Sequence, residues 1–244
     1  MTDYKINILH IYPDLLNLYG DKGNIACLKK RLEWRGIAAE VRECTAQNPN
    51  IDFENTDIIF IGGGSDRETE IVRCALLEKK DDFIKFVEDG GTVIALCSGY
   101  ELLGKAIQMN DEKKEGLGVL DICTHIPSDN SRLIGNIVID CGDIAGKVVG
   151  FENHSGRIDI GSHTPLGKAE KGFGNDGKSG FEGVLYKNVL ASYLHGPLFP
   201  KNPMLCDYVL KKTLIHKYSD FTELAPLDDE TEDMARNHML SVLL

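Results

Sequence analysis

Two short runs constrain this chain more than anything else in it: D-I-I-F-I-G-G-G, Asp57 to Gly64, and T-V-I-A-L-C-S-G, Thr92 to Gly99. Each is continuously apolar and then breaks into glycine before a helical pattern resumes. A strand without polar alternation has both faces covered, which is the condition of a parallel strand between layers of helices. Lys5 to Ile11 and Ala38 to Glu43 read as two more strands. Between them Ile25, Leu28 and Leu32 recur at helical spacing, with Asp21 placed to cap the helix and Gly36 to stop it. Ser65 to Glu88 is helical in pattern with a break near Lys80 to Asp82, and Tyr100 to Ile107 reads as a further helix starting from near Ser98. Strands alternating with helices over the first hundred residues predict an α/β fold, a doubly wound and mostly parallel sheet. Catalytic groups in such sheets gather at the carboxyl ends of the strands, where G-G-G and Cys97 both fall.

From about Gly116 to Val184 the pattern changes to short β-like runs separated by Gly, Asn and Asp, including N-I-V-I-D and the loop G-F-G-N-D-G-K-S-G. These predict a small β region inserted into the domain. Val189 to Leu194 is another apolar strand, ending at His195-Gly196-Pro197, and Asn202 to Lys217 is a covering helix with Pro203 in its first turn. One domain over residues 1–218 follows, with an acidic and then amphipathic tail over 219–244. That tail reads as a solvated face whose end docks a partner or covers the core.

Composition excludes several function classes. Lys+Arg 27 against Asp+Glu 38 gives a net charge of -11 with no basic block, so the phosphate attraction behind nucleic-acid binding is missing. No apolar run approaches the ~20 residues of a transmembrane helix, and M-T-D-Y-K-I-N-I-L-H lacks the apolar core of a leader. Seven scattered cysteines, none in C-x-x-C, disfavour both a disulfide framework and a zinc site. No metal site is expected, and the location expected is the reducing cytoplasm.

Cys97 is the first candidate for chemistry. A free thiol is only a few per cent thiolate at neutral pH, and a helix N-terminus or a nearby histidine raises that fraction. Both aids are on offer: the helix starting near Ser98 points N–H groups at the sulfur, and Gly99 allows a tight turn. The Ser98 N–H and a donor from the Gly62 to Gly64 loop would face an oxyanion. A phosphate-binding loop is disfavoured because no G-K-[ST] follows the glycines. The local pattern alone leaves Cys97 open between a nucleophile and a packing cysteine. His195 is set apart from the other six histidines by its strand end and following glycine, on the same sheet edge as Cys97.

I-I-F-I-G-G-G-S-D-R-E, A-L-C-S-G-Y-E-L-L-G and Y-L-H-G-P together resemble class I glutamine amidotransferases of the cobyric-acid-synthase-like branch, which are flavodoxin-like. L-N-L-Y-G-D-K-G-N at Leu16 to Asn24, N-S-R-L-I-G-N-I-V at Asn130 to Val138 and V-G-F-E-N-H-S-G-R at Val149 to Arg157 are more similar to the amidotransferase subunits, GatD in type, of lipid II isoglutaminyl synthases. The resemblance runs from the first strand to about Tyr208.

It implies glutamine hydrolysis for the amidation of the lipid II stem peptide, from D-glutamate to D-isoglutamine, in peptidoglycan synthesis. Cys97 would attack the side-chain amide, His195 would move the protons, Ser98 and the Gly63 and Gly64 region would hold the oxyanion, and Arg132 would hold the glutamine. No cofactor is expected in this chain. ATP and Mg are expected on a separate Mur-ligase-like synthetase of the MurT type, which would select lipid II and bring the complex to the inner face of the membrane. Amidation of another carboxylate such as a cobyrinate, and a non-catalytic structural subunit, are the alternatives. Many class I amidotransferases carry a glutamate two residues after the histidine; here that place is Pro197. Either Cys97 and His195 act as a pair, or another carboxylate orients the imidazole, with one supplied by the partner preferred. Glu152 and His154 are read as a turn held by side-chain hydrogen bonds.

Overall fold

The computed structural model describes residues 4–244; residues 1–3, which open both the 1–218 domain and the stretch read for a leader, lie outside the described residues. The first half alternates as expected: β1 (Lys5–Ile11), α1 (Lys22–Glu33), β2 (Ala38–Cys44), β3 (Ile58–Ile61), α2 (Asp66–Leu77), α3 (Lys80–Glu88), β4 (Thr92–Leu96) and α4 (Ser98–Leu103). The break between α2 and α3 falls at Glu78 and Lys79, two residues before the expected place. Side chains of β3 point alternately to two core clusters, as the two-residue period of a strand requires. Ile58 and Phe60 meet Leu28 and Leu32 of α1, whereas Ile59 and Ile61 meet Val72 of α2 and Phe83 of α3.

The expected helix over Tyr100 to Ile107 ends early. α4 stops at Leu103, Gly104 is extended, and Ala106–Met109 forms β5. A four-residue run such as A-I-Q-M fits a helix turn and a strand equally well, and here pairing decides: β5 lies between β6 (Glu112–Glu115) and β7 (Cys123–Ile126). The inserted β region is therefore larger than expected and begins at Ala106. It comprises β8 (Leu133–Asp140), β9 (Lys147–His154), β10 (Arg157–Asp159), β11 (Gly167–Lys171) and β12 (Phe181–Glu182) as well, arranged as two four-stranded sheets, β10-β7-β5-β6 and β12-β11-β8-β9.

The chain then returns to the main sheet through β13 (Val184–Tyr186) and β14 (Val189–Ser192), giving the order β13-β14-β4-β3-β1-β2 with β13 antiparallel and the rest parallel. β14 ends at Ser192 rather than Leu194, because the next residues leave the sheet and pair with the inserted region: the His195 N–H donates to the Phe151 carbonyl at 2.8 Å. α5 (Leu198–Lys201) and α6 (Pro203–Lys217) follow, the latter with Pro203 at its start as expected. Phe221 is buried, and α7 (Glu230–Leu243) closes the chain with no buried residue of its own. Among the described residues no helix is long and apolar enough to cross a membrane.

Candidate active site

The register of the main sheet sets Leu96 of β4 beside Ser192 of β14, with β3 on the other side of β4, so Cys97, His195 and Gly62 to Gly64 emerge at one sheet edge. Cys97 itself carries the backbone strain of the turn, at φ 55° and ψ −118°, a region that costs a non-glycine residue of order 1–3 kcal/mol. The surroundings hold it there: its N–H donates to the Ser192 carbonyl at 2.8 Å, and α4 begins at once. Gly99 serves a different purpose from the one expected. It does not bend the turn; a Cβ on it would lie 2.7 Å from the Ile61 carbonyl, so glycine is what lets α4 close onto β3.

Gly63 marks where the two candidate groups meet. A Cβ there would stand 3.5 Å from Cys97 Sγ and 3.5 Å from His195 Cε1, so thiol and imidazole face one small gap. His195 is fully buried, and neither ring nitrogen has a hydrogen-bond partner among the described residues. Burial lowers the imidazole to about 3, helped by the nearby His154 and Arg132, and pushes the Cys97 thiol up, helped by the Glu101 carboxylate. The resting pair is a neutral thiol beside a neutral imidazole. Among the described residues no carboxylate bonds His195 in place of the one missing at Pro197; Pro197 instead packs on Gly23, where a Cβ would meet its ring at 2.6 Å.

The expected oxyanion donors are engaged by other groups. The Gly63 N–H donates to Asp21 Oδ2 at 2.9 Å and the Gly64 N–H to Ser98 Oγ at 3.0 Å, while the Ser98 backbone N–H faces the sulfur. A substrate oxygen must displace Asp21 or Ser98 to use either glycine. This corrects the reading of Asp21 as a helix cap, since its side chain makes no capping bond to α1. Asp21 is fully buried, and burial raises it to about 6 against the opposing Gly63 N–H.

Arg132 lies immediately before β8, close enough to act electrostatically on Cys97, Glu101, Tyr19 and His195. Its Nε donates to Asn153 Oδ1 at 2.6 Å and its Nη2 to the Asn153 carbonyl at 2.7 Å, so a carboxylate ligand takes the remaining nitrogen or displaces Asn153. Glu152 and His154 sit behind this layer. Glu152 accepts from the Phe173 and Gly174 N–H groups, and His154 bonds the Gly156 carbonyl and stacks on Tyr193 at 3.6 Å.

Sequence reasoning missed two residues. Tyr19 lies over the His195 ring, and Glu101, raised by burial to about 7, accepts from the Tyr193 hydroxyl at 2.9 Å. Tyr19 was visible only as a letter in the Leu16 to Asn24 segment; Glu101 lies one helical turn after Cys97, which is the signal that could have found it. A surface cavity of about 770 Å³ opens instead by Asp52, Asp57, Asp89 and Lys217 before the amino ends of β3 and β4, and shares no residue with this site.

Residues 7–203 match the family of CobB/CobQ-like glutamine amidotransferase domains. The chain is 41% identical over 240 residues to the lipid II isoglutaminyl synthase (glutamine-hydrolyzing) subunit GatD of Staphylococcus aureus (strain N315), covering 97% of this chain and 96% of that one. It is 37% identical over 228 residues to the subunit of the same name from Streptococcus pneumoniae (strain ATCC BAA-255 / R6), covering 93% and 87%. A solved glutamine amidotransferase, 20% identical, aligns with a TM-score of 0.58 over 84% of this chain and 98% of its own, which is a likeness of fold.

Proposed function

The chain belongs to the CobB/CobQ-like glutamine amidotransferase family, and from that membership we propose that it is the glutamine-hydrolysing subunit of a lipid II isoglutaminyl synthase. The observation that carries the reading is Cys97 in a strained strand-to-helix turn, facing His195 across the Gly63 gap. The similarity to the two GatD subunits directs it toward lipid II rather than another acceptor.

In the reaction, Cys97 Sγ attacks the side-chain carbonyl carbon of glutamine as His195 takes the thiol proton. His195 returns that proton to the nitrogen as the C–N bond breaks and ammonia leaves. Water then attacks the thioester with His195 as base, and glutamate departs. Arg132 holds the glutamine carboxylate, for which a planar guanidinium is suited. Ammonia passes to a Mur-ligase-like partner of the MurT type, which binds ATP and Mg and amidates the D-glutamate of lipid II. The partner also supplies the acceptor that His195 lacks, a reading supported by the unpartnered ring nitrogens. A lipid-linked acceptor places the complex in the cytoplasm at the inner membrane face.

The test co-purifies the chain with its synthetase and follows amidation of lipid II. Glutamine should support amidation with wild type and not with Cys97→Ala, while ammonium salts should rescue the variant. Failure of ammonium rescue would overturn the division of labour. A free chain that hydrolysed glutamine as fast as the complex would overturn the partner's part in orienting His195.

A further inference from the structure

The segment L-N-L-Y-G-D-K-G-N, Leu16 to Asn24, has no role in the chemistry as described, yet it meets His195 through Tyr19 and is tied to the glycine loop and to the residues that follow His195. The Leu18 N–H donates to the Gly63 carbonyl at 3.0 Å and Asp21 accepts from the Gly63 N–H, tying the segment to the floor of the site. Asn24 Oδ1 accepts from the Phe199 N–H at 2.9 Å, and Gly23 packs on Pro197, so the chain following His195 is also held. Between these ties Gly20, at φ 77° with open space around its Cα, makes the turn that presents Tyr19. The Tyr19 ring lies on the His195 ring with centroids 4.1 Å apart and planes inclined by 37°.

We propose that Tyr19 is the positioning residue for His195, its tilted ring fixing by contact the imidazole plane that a carboxylate two residues after the histidine would otherwise fix by a hydrogen bond. A ring packed this closely restricts rotation about the Cβ–Cγ bond and excludes water from one side. It leaves both ring nitrogens free, one for the thiol and one for an acceptor from outside the chain. The proposal rests on the glutaminase reading for its catalytic meaning, and on the geometry alone for its effect on the imidazole.

The groups placed near the imidazole are the Cys97 thiol across the Gly63 gap, Arg132 before β8, His154 at the end of β9 and Tyr19 itself. Of these, Tyr19 is the one with an aromatic ring packed against the imidazole among the described residues. Removing it admits water, so the imidazole rises from its lowered value toward 6.5. Since the base acts when neutral, the acid limb of kcat/KM moves to higher pH.

The experiment compares Tyr19→Ala and Tyr19→Phe in the synthetase complex. Tyr19→Ala should lower glutaminase kcat by about 10- to 100-fold with KM changed less than about threefold, as a misplaced base does. Its acid limb should move up, and Tyr19→Phe, which keeps the ring, should recover most of the rate and the wild-type limb. Equal loss in both variants would assign the effect to the hydroxyl and overturn the proposal, as would an unchanged rate in Tyr19→Ala. The His195 titration followed by NMR in the same variants is independent of turnover. An unchanged midpoint in Tyr19→Ala would overturn the proposal, whereas a wild-type complex inactive on glutamine would overturn the functional reading instead.

Discussion

The Gly63 N–H and the Asp21 carboxylate are joined by a 2.9 Å hydrogen bond in the protein interior, across 42 residues of sequence. A backbone donor at the edge of the active-site gap is thereby held by a group that is costly to ionise. Burial raises Asp21 to about 6 from 3.8, so between those values the folded chain keeps a proton that the unfolded chain releases. The group's contribution to stability therefore falls as pH rises from about 4 to 6 and is constant above. Asp21→Asn, which retains an acceptor and imitates the protonated acid, should gain on wild type by up to about 2–3 kcal/mol between pH 4.5 and pH 8. Denaturant unfolding at the two values checks this; a gain independent of pH would sink it.

A side chain at Gly63 would be tightly packed where it stands. Its φ is not in the left-handed region, so Gly63→Ala should fold, at a cost of about 1–3 kcal/mol for overpacking. The added methyl, 3.0 Å from Cys97 Cβ, fills the gap between thiol and imidazole. Glutaminase kcat/KM should drop at least about 100-fold while the melting transition stays cooperative.

Arg132 is held by Asn153 in a geometry that depends on its planar fork. Replacing it with Lys keeps the charge and loses the fork. If it binds the glutamine carboxylate, Arg132→Lys and Arg132→Ala should both raise KM for glutamine by about 10- to 100-fold, the worth of a hydrogen bond to a charged group, with a smaller change in kcat. An unaltered KM in Arg132→Ala would remove it from the substrate site.

Arg31 of α1, only 2% exposed, bonds two carboxylates at once: Asp207 of α6 and Asp229 at the start of α7. Arg31→Met leaves Asp207 to Arg35 alone and Asp229 without this partner, and should destabilise the chain by about 1–3 kcal/mol. Asp229→Ala should instead loosen only the segment over 219–244, seen as faster proteolysis there with the global unfolding midpoint little changed.

The sequence by itself determined the α/β class, four of the parallel strands in place, and the cysteine at a strand-to-helix turn. These follow from local periodicity, since an apolar run flanked by glycine states its own environment. It also marked His195, by its place at a strand end before a glycine, and Arg132, through resemblance rather than pattern. Only the tertiary structure decided what those residues face. His195 is held three residues beyond β14 by pairing with Phe151, a partner 44 positions away that no local pattern names. Asp21 reads locally as a helix cap because an acid before a helix usually is one; it turns inward because Gly63 offers a donor at the right place. Tyr19 acquires its meaning the same way, from a ring 176 residues on. Periodicity fixes which face of an element is buried, whereas the partner of a buried polar group is set by packing between distant segments.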